Sequence, residues 1–161
     1  MPIGLLMEIL AQRPENARLL GMDLGSKTIG LSVSDAGQGI ATPLKTIKRG
    51  KFARDMVELG QVVADYEIGG YVLGYPLNMD GSMGPRCDAV RSFADEMKNY
   101  PQFLGTDPWI ALWDERLSTV SVEDFLVESV DMSRTKRKQV IDKLAAQHIL
   151  QGALEFIRAS R

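Results

Sequence analysis

The 161-residue chain has one cysteine, one histidine and no apolar run near the roughly 18 residues that a membrane span requires. Cys87 alone forms no internal disulfide, which suits a reducing compartment. With His148 as the only histidine, multi-histidine metal sites are excluded, and a bound metal must be held by oxygen. Nineteen Lys and Arg against 21 Asp and Glu leave a formal net charge of −2, so the chain is neither a polycation nor an acidic disordered tail. Any contact with nucleic acid has to come from local patches. The first residues lack the basic segment of a secretory signal, and Glu8 breaks the only apolar stretch there, so a cytoplasmic protein with no membrane partner is expected.

Hydrophobic residues make up 45% of the chain, enough at this length for one well-filled core. A single domain over residues 19–158 is expected, preceded by an N-terminal arm, 1–18, in which Arg13-Pro14-Glu15-Asn16 interrupts a short helix around Leu5 to Leu10. The run Leu19 to Met22 ends at Asp23, Gly25 is a turn residue able to take positive φ, and Ile29 to Val33 alternates apolar residues with serine: a β-hairpin. Ile40 to Ile47 reads as a third strand, with Pro43 placing it at an edge or a bulge. Phe52, Met56, Leu59, Val63 and Tyr66 fall on one face of a helix. Buried strands over Gly70–Gly74 and Pro108–Trp113 alternate with a helix that opens at Pro85 and turns Val90, Phe93, Ala94 and Met97 inward. A helix after Ser118 or Thr119 carries Val122, Phe125 and Leu126, and a last one runs from about Arg134 to Ile157. The order predicts an α/β fold, a five-stranded mixed sheet of three antiparallel and two parallel strands, with helices on both faces.

An acid on a buried strand is costly without a partner, so Asp23 calls for a base, a hydrogen-bonded turn or a metal ion. Asp114 and Glu115 close a parallel strand, where open α/β sheets gather functional groups, and adjacent strand residues face opposite ways, so only one points at a site. Asp142 lies on the last helix beside Ala145 and Ala146, small residues that let a helix approach a sheet; the alternative is a boundary acid paired with Lys138. If Asp23, Glu115 and Asp142 meet, their repulsion is relieved by a divalent cation, and oxygen ligands select Mg²⁺ or Mn²⁺. Such a centre suits hydrolysis of a phosphodiester. Positive charge comes from a run over Lys45, Lys48, Arg49, Lys51 and Arg54 and a second over Arg134 to Lys143, which includes Arg137 and Lys138. Lys27, Arg86, Arg91 and Arg116 are further candidates for nucleic-acid contact.

Four motifs in order resemble the bacterial YqgF family of pre-16S rRNA nucleases, also described as Holliday-junction-resolvase-like. They are Gly-Met-Asp-Leu-Gly-Ser-Lys-Thr-Ile-Gly-Leu-Ser-Val-Ser-Asp (21 to 35), Gly-Tyr-Pro-Leu-Asn-Met-Asp-Gly-Ser-Met-Gly-Pro-Arg (74 to 86), Asp-Glu-Arg-Leu-Ser-Thr (114 to 119) and Ile-Asp-Lys-Leu-Ala-Ala-Gln-His-Ile-Leu-Gln (141 to 151). The resemblance runs from about Leu20 to Phe156. It implies an RNase H-like fold, a cytoplasmic nuclease maturing the 5′ end of small-subunit rRNA within pre-ribosomal particles, and Asp23, Glu115 and Asp142 as the acidic triad. Thr28 stands where the family often has arginine, and the last motif carries one acid where related junction resolvases carry two. A DNA junction resolvase, acting as a symmetric dimer, and an RNA-binding assembly factor that does not cut are the alternatives; a monomer or homodimer is compatible with the sequence. An ATPase of the actin type needs a second domain, for which the chain is too short.

Overall fold

The computed structural model describes residues 2–117 and 134–161, with side chains of the last helix from Val140 onward. The expected helix after Ser118 lies outside the described residues. Six strands form one sheet in the order β1-β6-β5-β2-β3-β4. They are β1 (Ile3–Leu5), β2 (Arg18–Leu24), β3 (Thr28–Ser34), β4 (Ala41–Lys48), β5 (Ile68–Tyr75) and β6 (Trp109–Asp114). β2, β3 and β4 form an antiparallel meander; β2 also pairs in parallel with β5, β5 with β6 and β6 with β1.

The sheet therefore has one strand more than the five expected. The extra one comes from the segment read as an arm, where Ile3-Gly4-Leu5 pairs with Ile110-Ala111-Leu112. Three residues are too few to show a period of two, so this strand leaves no pattern in the sequence; it forms because β6 would otherwise end the sheet with unpaired backbone groups. The chain then turns through α1 (Leu6–Ile9), whose Ile9 carbonyl accepts from Trp109 Nε1 at 2.8 Å.

The third strand is at the edge, as its proline requires, and the pairing register slips between Leu31 and Ser32, opposite Lys45 and Pro43. Gly25 closes the hairpin by donating its N–H to the Thr28 carbonyl at 2.9 Å, without the positive φ expected of it; among the described glycines that conformation occurs at Gly81 and Gly105.

Period-two alternation divides the sheet into two faces. Leu20, Met22, Leu31, Leu73 and Leu112 face α2 (Phe52–Tyr66), α3 (Pro85–Met97) and the short α4 (Pro101–Leu104), whose Met56, Leu59, Phe93 and Met97 complete a buried core. Leu19, Val72, Ala111 and Trp113 face the other way, toward Ile149, Leu150, Ala153 and Leu154 of α5 (Arg134–Ala159). This is the expected layering, with helices on both faces.

α5 lies unusually close to the sheet. Gly21 and Ser32 are cross-strand partners, as are Asp23 and Gly30. A Cβ on Gly21 would stand 2.7 Å from the Leu150 Cβ, and one on Gly30 would run into the Asp142 carbonyl. Ser32, fully buried, donates to the Ala146 carbonyl at 2.7 Å. Ser32 of the hairpin thus binds the helix that covers it.

Gly30→Ala should lower stability by about 2 kcal/mol or more, because the new methyl meets helix backbone, which cannot rotate away. A fall in the urea midpoint with an unchanged slope is the expected readout, and an unchanged midpoint would contradict this packing.

Candidate active site

The parallel strands β2, β5 and β6 end together, and a cavity of about 190 Å³ opens at their carboxyl ends. Asp23 and Leu24 border it from β2, Gly74 from β5 and Pro76 from just after it, and Glu115 from the turn after β6. Arg86 and Phe93 of α3 and Arg49, which follows β4, complete the ring.

Asp23 is half-buried and sits on the α5 side of β2, opposite Gly30. Burial pushes its carboxyl up from an ordinary 3.8 to about 6; the Asp142 carboxylate adds to the rise and the Arg86 guanidinium opposes it. Glu115 is raised for the same reasons: burial first, then the charge of Asp23, with Arg86 again opposing and Asp114 adding slightly. Gly74 makes room for it. A Cβ there would stand 2.9 Å from Glu115 Oε1.

Asp142 reaches the same field from α5, where its Oδ2 accepts a hydrogen bond from Thr28 Oγ1 at 2.6 Å. The three acids predicted from the sequence are therefore neighbours in charge, with Asp23 between the other two. Among the described residues, no three acid, histidine or cysteine side chains draw in tightly enough to enclose an ion as they stand. The donor set nonetheless fits a hard divalent cation: all oxygen, with Asp23 and Glu115 made costly first by burial and then by a neighbouring carboxylate.

Asp114, the last residue of β6, and Glu115, the first of the turn after it, have different surroundings, so the two are not adjacent strand residues as expected. Asp114 is gripped by Arg116, with Nε at 3.0 Å from Oδ1 and Nη2 at 2.8 Å from Oδ2, and this fork holds its carboxyl below the usual range. Among the described residues Glu115 has no such partner, and it borders the cavity.

Of the predicted cations, Arg86 is at the cavity and Lys27 is exposed on the hairpin turn beside it. Arg116 is committed to Asp114. Arg91 is tied to Tyr75, its Nε donating to the hydroxyl at 2.8 Å and its guanidinium lying 5.4 Å from the ring centroid. Arg137 and Lys138 lie on α5, and their side chains are outside those described. Two residues were not singled out for their place here. Thr28 binds Asp142, and Arg49 enters from the end of β4, with Nη1 donating to the Gly25 carbonyl at 2.6 Å. The only sign of Arg49 in the sequence is its membership of a basic run.

The profile of a family described as RuvX, Holliday junction resolvase, matches residues 17–156. The chain belongs to the RuvX family. It is 50% identical over 98% of its length to a Rhodospirillum centenum protein named as a candidate pre-16S rRNA nuclease, covering 84% of that protein. A Roseobacter denitrificans protein of the same name is 51% identical over 96% of this chain and 92% of its own length. In fold, this RuvX-family chain is similar to Thermus thermophilus RuvC solved with a Holliday junction substrate, with a TM-score of 0.53 at 11% identity over 89% of this chain and 95% of the other. The yeast mitochondrial Holliday junction resolvase gives a TM-score of 0.51 at 11% identity, over 95% of this chain and 85% of the other. These two likenesses establish the RuvC-like, RNase H-type architecture. The RuvX family is a family of nucleases, and the acids stand within the matched region.

The Asp23 carboxyl makes stability depend on pH. Its folded carboxyl keeps a proton up to about pH 6, whereas in the unfolded chain it ionises near 4. Because the folded value is the raised one, the contribution to stability is fully present below about pH 4 and is lost as pH rises to about 6, by up to about 3 kcal/mol. In urea melts from pH 4 to 7 without divalent cations, Asp23→Asn should gain stability over wild type as pH rises. A constant difference between the two proteins would contradict the burial of this charge.

Proposed function

We propose that this chain is a metal-dependent endonuclease that hydrolyses a phosphodiester bond in precursor 16S rRNA, acting in the cytoplasm on pre-ribosomal particles. The observation that carries the reading is the coupling of Asp23 to both Asp142 and Glu115 at a cavity that also presents Arg86. Proteins of about 50% identity carrying the pre-16S rRNA nuclease name support the substrate.

In this reading Asp23, Glu115 and Asp142 hold Mg²⁺ or Mn²⁺. Bound there, a divalent ion supplies neutralisation of the charge that builds on a phosphodiester in in-line displacement and makes water more acidic. The chain's own contribution is placement. Arg86 draws a substrate phosphate toward the acids and offsets part of their repulsion before the cation arrives. Thr28 orients the Asp142 carboxylate, and the Asp114–Arg116 fork fixes the strand end from which Glu115 projects. Lys27 on the exposed hairpin turn, Arg137 and Lys138 of α5, and Arg91 and Arg116 are the further residues assigned to nucleic-acid contact. The nuclease domain is assigned to residues 19–158, with 1–18 as an arm docked on the β6 edge.

A second reading is a DNA junction resolvase, favoured by the description of the matching family. It requires a dimer presenting two sites to one four-way junction, whereas rRNA cleavage is open to a monomer or a homodimer.

Under Mg²⁺ or Mn²⁺, Asp23→Asn, Glu115→Gln and Asp142→Asn should each lower the cleavage rate of a precursor 16S rRNA fragment by several powers of ten, since ligand loss removes several kcal/mol of transition-state stabilisation. Binding should change far less. Wild-type binding with no cleavage under either ion would replace the nuclease by an assembly factor, and cleavage of four-way DNA junctions but not of RNA would replace it by a resolvase.

The double substitution Arg137→Ala with Lys138→Ala should weaken binding and reduce the slope of log affinity against log salt by about one per lost phosphate contact. An unchanged slope would remove these side chains from the substrate path.

A further inference from the structure

The cavity beside the acids is larger than a phosphate contact needs and far smaller than a duplex. Its volume is about 190 Å³. A cavity of roughly 150 Å³ holds a benzene ring, so this open-mouthed one has room for a single heterocycle and not for two stacked ones.

Its walls are also unlike those of a pure anion site. Leu24, Pro76 and Ala89 give the lining apolar surface, and Arg49 and Arg86 add cationic groups beside the acids. Arg49 is not free to swing. Its Nη1 donates to the Gly25 carbonyl at 2.6 Å, and its guanidinium lies 5.4 Å from the centroid of the Phe93 ring. A guanidinium fixed at one edge by a carbonyl and backed by an aromatic ring is a flat, preset surface, of the kind on which unstacked bases rest. An ammonium at the same place would supply charge without the plane.

We propose that this cavity is a subsite for one unstacked nucleotide next to the scissile phosphate. The base seats against the apolar lining and the plane of Arg49, and its phosphate lies toward Arg86. The position of the scissile phosphate rests on the nuclease reading; the occupancy of the cavity by a base does not. Taking a base out of a duplex costs a few kcal/mol and is cheapest where the nucleotide is already unpaired. The subsite therefore selects an unpaired or weakly paired nucleotide at a set distance from the cut. The acids alone recognise a backbone shared by every nucleotide; the cavity supplies a choice among positions.

The test is a series of RNAs, each with one abasic residue, walked along a precursor 16S rRNA fragment. Binding is measured on Asp23→Asn, so that cutting does not intervene, and cleavage is measured on the wild type. One abasic position should weaken binding about 10-fold or more, in the range found when a stacked base is lost. Ala89→Trp, at an exposed position of α3 that lines the cavity, should fill it. In the Asp23→Asn background it should abolish that contrast, with all RNAs then bound alike. Arg49→Lys should shrink the contrast while the salt slope stays the same, and it serves if the tryptophan variant fails to melt as wild type does.

The subsite is overturned if no abasic position stands out, as a pocket that reads phosphate alone requires, or if the contrast survives in the variants. Cleavage without any such contrast removes the subsite and spares the nuclease. A clear contrast in a protein that cuts nothing removes the nuclease and leaves a base-reading site.

Discussion

Close approach of α5 to the hairpin is the constraint on which the rest of the molecule depends. The helix touches β2 and β3 because Gly21 and Gly30 carry no Cβ and because Ser32 gives its hydroxyl to the Ala146 carbonyl. With ordinary side chains at those places, the layers would stand near the usual 10 Å of packed elements. Asp142 would then be drawn off Thr28 and away from Asp23. The glycines are thus part of the site, though none of their atoms takes part in chemistry. They also explain why the face under α5 contains serine and glycine where the opposite face is filled by leucine and methionine.

Gathering acids costs stability, and the structure divides that cost unevenly. Asp114 is neutralised by Arg116 in a two-bonded fork and is settled at neutral pH. Asp23 and Glu115 are left partly desolvated in each other's field, with Arg86 as an incomplete counterweight. Groups strained in this way mark functional sites more often than stability determinants. The hairpin turn binds groups from two other elements: the Thr28 hydroxyl donates to Asp142 of α5, and the Gly25 carbonyl accepts from Arg49 at the end of β4.

Much of this was legible beforehand because it is local. The hairpin, the helix opening at Pro85, the stripe from Phe52 to Tyr66 and the edge strand marked by Pro43 each arise from contacts or backbone limits within a dozen residues. Asp23, Glu115 and Asp142 could be proposed from motifs, since each motif keeps its acid at a strand end or on a helix with small neighbours. Ile3 to Leu5 could not be seen as a strand, since its only reason to extend is the open edge of β6, more than a hundred positions away. Arg49 was hidden for a like reason: in the chain it is one of several basic residues, and only the fold gives it Phe93 and Gly25 as neighbours.

Residue types and their order by themselves determined the fold class and, with one histidine and one cysteine in the chain, left oxygen as the donor for any proposed metal site, because period, turn chemistry and ligand type are properties of short stretches. Tertiary structure alone decided which acid of the pair at 114 and 115 faces the cavity, which arginines border it and how near α5 comes to the sheet. Those outcomes depend on distances between residues remote in the chain, where electrostatic energy varies with separation and burial and a single absent Cβ decides whether two layers meet.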